Sequence, residues 1–119
     1  MNISNVLCLN FSSRKNGNCA AITKQVMTYY TNHTTAAYIM NDQVVHACGN
    51  CNYECLTPGN GCLNLWEEFI TIMDHICNAD LVYFIVPNYC GFPCANYFSF
   101  NENTVGYFNG DAHLLQEYL

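Results

Sequence analysis

Leu81-Val82-Tyr83-Phe84-Ile85-Val86 runs without a charged residue until Pro87 stops it. It is fully apolar and rich in strand-forming residues, which predicts the central strand of a parallel sheet. Working upstream, Leu65, Trp66, Phe69, Ile70, Met73, Ile76 and Cys77 recur at i, i+3, i+4 and i+7. That spacing predicts an amphipathic helix ending at Asn78-Ala79-Asp80. Near the start, Val6-Leu7-Cys8-Leu9 is a second buried-type run, led in by Ile3. After a polar turn at 10–18, Cys19, Ile22, Val26 and Tyr30 share one helical face. Ala36 to Met40 reads as a further strand. Strands alternating with helices imply an α/β domain built on a parallel sheet. Downstream, Asn88 to Pro93 reads as an aromatic, glycine-containing turn and Phe98 to Gly110 as irregular chain. Asp111 suits the N-cap of a last helix.

The chain has 119 residues, the length of a single domain over 1–119. Apolar residues make up 51% and charged residues 10%, which excludes an intrinsically disordered chain. Three basic residues against nine acidic ones leave a formal charge of −6. No cationic surface exists for a nucleic-acid backbone or an anionic membrane, so neither partner is expected. No apolar run reaches the length of a membrane span. The first residues lack the positive and apolar regions of a secretory signal. The nine cysteines are therefore expected as reduced thiols in a cytoplasmic protein, some of them as metal ligands.

Two of the three cations, Arg14 and Lys15, stand side by side in the turn after the first strand, among Ser12, Ser13, Asn16, Gly17 and Asn18. A strand-to-helix turn exposes unsatisfied N–H groups at the positive end of a helix. Hydroxyls, glycine and two cations there make a phosphate site. The plain alternative is a capped turn with two solvated charges. The turn is neither a Walker loop nor a dinucleotide fingerprint.

Through Ser12, Arg14, Gly17 and Asn18, the stretch Leu9 to Asn18 resembles the phosphate loop of flavodoxin-like NAD(P)H-dependent FMN reductases. Pro87-Asn88-Tyr89-Cys90-Gly91-Phe92-Pro93 resembles the same family's Pro-x-Tyr-x-Gly loop. The resemblance implies FMN, with its phosphate held by Ser12, Arg14, Lys15, Asn16, Gly17, Asn18 and Cys19. It implies a ring site at Pro87, Asn88, Tyr89, Cys90, Gly91 and Phe92, where Asn88 and Tyr89 contact the ring and the Cys90 and Gly91 amides reach its polar edge. NAD(P)H would be the electron donor, and a quinone, a flavin or a metal the small-molecule acceptor. No side chain is assigned as catalytic.

Residues 41–62 form a cysteine-rich insertion loop with Cys48, Cys51, Cys55 and Cys62 at C-x2-C-x3-C-x6-C spacing. Four thiolates in one loop suit an iron–sulfur cluster or tetrahedral zinc. Unligated thiols lining the flavin or a dimer seam are the alternative. The loop resembles the cysteine motif of iron–sulfur flavoproteins, which has two residues between its second and third cysteines where this chain has three. Cys8 and Cys77 read as core positions, and Glu67 and Glu68 as a solvated helix face. His33, His46, His75 and His113 show no ligand spacing.

The resemblance implies a flavodoxin-like doubly wound sheet with strand order 2-1-3-4-5. Three strands are legible, so the fold is expected truncated after the third, with an apolar edge left open. The expected function is an FMN-binding oxidoreductase, with a homodimer as the expected assembly. The alternatives are an iron–sulfur/flavin electron-transfer protein and a non-enzymatic module that dimerises.

Overall fold

A computed structural model describes residues 3–43, 48–49 and 67–108. Strand β1 (Asn5–Asn10) pairs in parallel with β2 (Thr34–Ile39) and with β3 (Leu81–Ile85), giving the order β2-β1-β3. Helix α1 (Asn18–Tyr29) joins β1 to β2, and α2 (Glu67–Asn78) precedes β3. The protein is therefore a mixed α/β structure whose three-stranded parallel sheet is flanked by helices. This is compatible with the order expected for strands one to three.

The central strand is β1 rather than the expected Leu81–Val86: Val6 to Asn10 are all buried, whereas β3 lies at the edge of the three-stranded sheet with only Ile85 fully buried. Alternate residues of β1 serve opposite faces. Leu7 and Leu9 join the main core with Phe69, Ile72, Met73 and Ile76 of α2. Cys8 lies on the other side beside Tyr30, which follows α1, and its thiol pKa is pushed up by burial. There the Tyr30 and Tyr83 hydroxyls lie 2.9 Å apart, tying the end of α1 to β3.

The two faces are packed unequally. Helix α1 has no fully buried residue, and Ile22, expected inward, is 46% exposed. The residues turned toward the sheet are Cys19, Ala20, Thr23, Val26, Met27 and Tyr30, all half-buried. In α2 the inward stripe is Phe69, Ile72, Met73 and Ile76, so Ile70 and Cys77 face outward. Cys77 is thus corrected from a core position to an exposed one. Leu65, Trp66, His46, Asp111 and His113 lie outside the described residues.

Two further corrections concern residues 88–108. Asn88 to Pro93 is a β-hairpin, β4 (Asn88–Tyr89) and β5 (Phe92–Pro93), paired antiparallel. The stretch from Phe98 to Gly110, expected to be irregular, holds the second half of α3 (Ala95–Glu102) and all of α4 (Thr104–Phe108). Aromatics on several sides of α3 hide the helical period. Phe100 is fully buried, Tyr97 half-buried and Phe98 exposed. The Phe100 ring meets those of Phe11, Phe69 and Phe84 at centroid distances of 5.5, 5.3 and 6.1 Å. Among the described residues, no helix is long and apolar enough to cross a membrane.

The amino end of the sheet is tied by one carboxylate. Asp80 Oδ2 accepts from the Ser4 and Asn5 amides, each at 2.9 Å. The Asn5 bond, then the Ser4 bond, favours the charged form and holds the Asp80 pKa below its ordinary 3.8. A depressed carboxylate pKa contributes stability that is present above the unfolded value and lost as pH falls through the folded one. Asp80→Asn should therefore lower the melting temperature at neutral pH. It should also flatten the loss of stability between about pH 4 and pH 2, read from melting curves across that range. Phe100→Ala should cost about 3–5 kcal/mol in urea unfolding. Phe98→Ala, at a ring 46% exposed, should cost much less, on the order of 0.5 kcal/mol.

Candidate functional site

The turn after β1 begins inside the protein and ends outside it. Asn10 and Ser12 are 3% and 4% exposed, whereas Ser13, Arg14, Lys15, Asn16 and Asn18 are exposed. Asn10 Oδ1 accepts from the Ser12 amide at 3.0 Å, and Ser12 Oγ accepts from the Arg14 amide at 3.1 Å. Short side chains bonding two residues ahead are the means by which Asn and Ser shape turns. Gly17 is the N-cap of α1, and no side chain caps the helix. The amides of Asn16, Gly17, Asn18 and Cys19 donate to no partner among the described residues. Arg14 and Lys15 pair with no carboxylate there either. A Cβ on Gly17 would lie 3.3 Å from Arg14 Cβ and 3.5 Å from Arg14 Cδ. Glycine therefore lets the arginine stem lie against the start of the helix. The half-buried Cys19 accepts through its carbonyl from Thr23 Oγ1 at 2.8 Å.

The second segment leaves the same end of the sheet. β1 and β3 are parallel neighbours with Asn10 level with Ile85, so their carboxyl-end loops emerge side by side. In the hairpin that follows, Cys90 has φ 54° and Gly91 φ 86°. Positive φ at both central positions is what a type I′ turn needs, and its twist suits a two-residue hairpin. Asn88 Oδ1 accepts from the Gly91 amide at 2.9 Å. The Cys90 amide is thus the donor the turn leaves open, and Gly91 is engaged internally. Pro87 is half-buried, while Asn88, Cys90 and Gly91 are exposed. Tyr89 and Phe92, a cross-strand pair, expose 47% and 68% of their surfaces.

Three contacts join the first turn to the residues that flank the hairpin on either side. The Phe11 amide donates to the Ile85 carbonyl at 3.0 Å. The Phe11 carbonyl receives Cys94 Sγ and Asn96 Nδ2, each at 3.4 Å. Asn96 Nδ2 also reaches Asn41 Oδ1, just after β2, at 3.3 Å. The sequence assigns no role to Asn10, inside the polar turn, or to Asn96. A strand-ending Asn two residues before a Ser is a recognisable turn signal for the first. No local pattern marks the second, because its partners are distant in the chain.

Of the four cysteines in the insertion loop, Cys48 is exposed and its amide donates to Glu102 Oε2 at 3.0 Å. Cys51, Cys55 and Cys62 lie outside the described residues. Among the described residues, no group of three or more His, Cys, Asp or Glu side chains is arranged to hold a metal. Chemically, the first turn offers amides and two cations to an anion, and the hairpin offers two aromatic faces and an amide to a flat heterocycle. Donor types suited to a phosphate thus stand on the first segment, and types suited to a flat aromatic ring on the second.

In comparisons with known proteins, the chain matches no protein-family model, no curated protein and no solved structure.

A left-handed backbone disfavours a side chain with a Cβ, but Asn tolerates it. Cys90→Asn should raise stability by about 0.5–1 kcal/mol and Cys90→Val lower it by about 1 kcal/mol, measured by thermal melts.

Proposed function

We propose that the protein is a flavodoxin-like, FMN-binding oxidoreductase that passes electrons from NAD(P)H to a small acceptor. One observation carries the reading. The cationic turn after β1 and the aromatic hairpin after β3 leave adjacent parallel strands at the same end and are tied together through Phe11. Ligands of open α/β sheets bind beyond the carboxyl ends of the strands.

In this reading Arg14 and Lys15 neutralise the phosphate, and the uncapped amides from Asn16 to Cys19 donate to its oxygens. Ser12 Oγ already accepts from the Arg14 amide, so its hydroxyl proton remains available to the phosphate. Tyr89 and Phe92 cover the ring, and the Cys90 amide donates to its polar edge. FMN held by Arg14, Lys15 and the Asn16 to Cys19 amides would supply hydride-accepting, two-electron chemistry between a dihydronicotinamide and a quinone, flavin or metal acceptor.

A second reading, a non-enzymatic module that dimerises, is favoured by the outer edge of β3. That strand is apolar on both faces but pairs only with β1 among the described residues, and Phe84 is 39% exposed. Unpaired apolar edges attract further strands.

The visible spectrum of the purified, FMN-reconstituted protein separates the two readings. Retention of yellow flavin through desalting, with NAD(P)H oxidation, is expected. Colourless dimeric protein without that activity would overturn the oxidoreductase reading. Arg14→Ala should weaken FMN binding about tenfold or more in a fluorescence titration, the size of a lost charged hydrogen bond. An unchanged dissociation constant would remove the phosphate-loop assignment.

A further inference from the structure

The turn after β1 takes its shape from two side chains in succession, and the first of them begins inside the sheet. Asn10 is the last residue of β1 and is 3% exposed. A polar side chain this deep has to be hydrogen-bonded. Its Oδ1 receives the Ser12 amide, and Ser12 Oγ receives the Arg14 amide. The two bonds run 10 to 12 to 14, so each fixes the backbone from which the next one starts. Their end point is Arg14, whose stem lies against Gly17 at the start of α1.

We infer that Asn10 is a positioning residue that gives the site its preference for a phosphorylated over an unphosphorylated flavin, acting through Ser12 and Arg14. The inference rests on the flavin reading above. Asn10 points into the protein and Arg14 into solvent, so Asn10 influences the anion by orienting the chain that carries the cation. With Oδ1 removed, the Ser12 amide loses its acceptor, and the Ser12 hydroxyl is no longer aimed at the Arg14 amide. The Arg14 backbone, from which the guanidinium stem starts, is then no longer held in one orientation, and orienting it costs binding free energy. The hairpin meets this relay only at Phe11, which its amide bond to the Ile85 carbonyl and its buried ring hold in place without Asn10 Oδ1. It is shaped by its own Asn88–Gly91 bond and anchored at Cys94 and Asn96. The loss therefore falls on the phosphate end and spares the ring end.

The test compares dissociation constants for FMN and for riboflavin, which has the ring without the phosphate, by quenching of flavin fluorescence. Wild type, Asn10→Ala and Asn10→Ser are measured, with circular dichroism as the check on folding. Asn10→Ala should raise the FMN constant about tenfold and leave that of riboflavin within about twofold. Asn10→Ser restores an oxygen able to accept the Ser12 amide, as Ser12 itself does for Arg14, and should recover FMN affinity to within about threefold. If Asn10→Ala does not fold, Asn10→Val takes its place, since a β-branched residue suits a strand end. Equal losses for both flavins, an unchanged FMN constant, or a serine variant as weak as the alanine one would each overturn the inference. Wild type binding both flavins equally would overturn it together with the phosphate-loop assignment, and leave the ring site standing. Wild type binding neither would overturn both.

Discussion

The carboxyl end of the sheet depends on Phe11. Its amide extends the β1–β3 ladder by one bond, and its carbonyl holds the residues that start α3. Its ring, fully buried, stands edge-on to Phe84, Tyr97 and Phe100 at centroid distances of 5.9, 5.6 and 5.5 Å. Each such pair adds about 0.5–1.5 kcal/mol beyond the area it buries. Three of them are a sizeable part of the roughly 5–15 kcal/mol that a folded domain has in total. Parallel pairing makes the two strand ends level, and Phe11 turns level ends into one joined unit. Core packing and site geometry therefore reside in the same side chain, between the cationic turn and the aromatic hairpin.

The unequal packing of the two faces divides labour. The α2 and α3 side holds the closed cluster around Phe69, Met73, Phe100 and Phe108. The α1 side is held by half-buried groups and by the Tyr30–Tyr83 bond. Segments with few buried apolar contacts open at lower free energy than the core. The cationic turn therefore belongs to the helix with the least packing to restrain it, while its root at Asn10 and Phe11 belongs to the most restrained strand. The turn thus has a fixed origin and an adjustable rim.

The sequence was most legible where one physical signal acts alone. Val6 to Leu9 form a buried strand, as their continuous apolar run predicts, whereas the equally apolar Leu81 to Ile85 form an edge strand with only Ile85 fully buried, because an apolar run marks a strand without fixing its place in the sheet. The inward face of α2 was legible at Phe69, Met73 and Ile76, and misjudged at Ile70 and Cys77 because apolar residues lie on both sides of its stripe. Ile22 misled for a related reason, since α1 buries no residue fully and its apolar pattern is weak. Residues 95–108 hid two helices because Tyr97, Phe98 and Phe100 are spread around the axis and erase the period. At the site, Ser12, Arg14 and Gly17 announced themselves by composition. The I′ turn at Cys90-Gly91 was masked by a cysteine where asparagine is usual. Asn96 could not be found at all from sequence, since its contacts with Phe11 and Asn41 exist only after folding.

The thiols of Cys90 and Cys94 sit four positions apart and live in different worlds. The first stands in solvent at the hairpin tip, and the second is 6% exposed with its Sγ on the Phe11 carbonyl. An alkylating reagent meets Cys90 on every encounter, but reaches Cys94 only in molecules where that carbonyl has let go. The ratio of the two labelling rates is thus a stopwatch built into the chain, and it times how often the bends after β1 and β3 come apart.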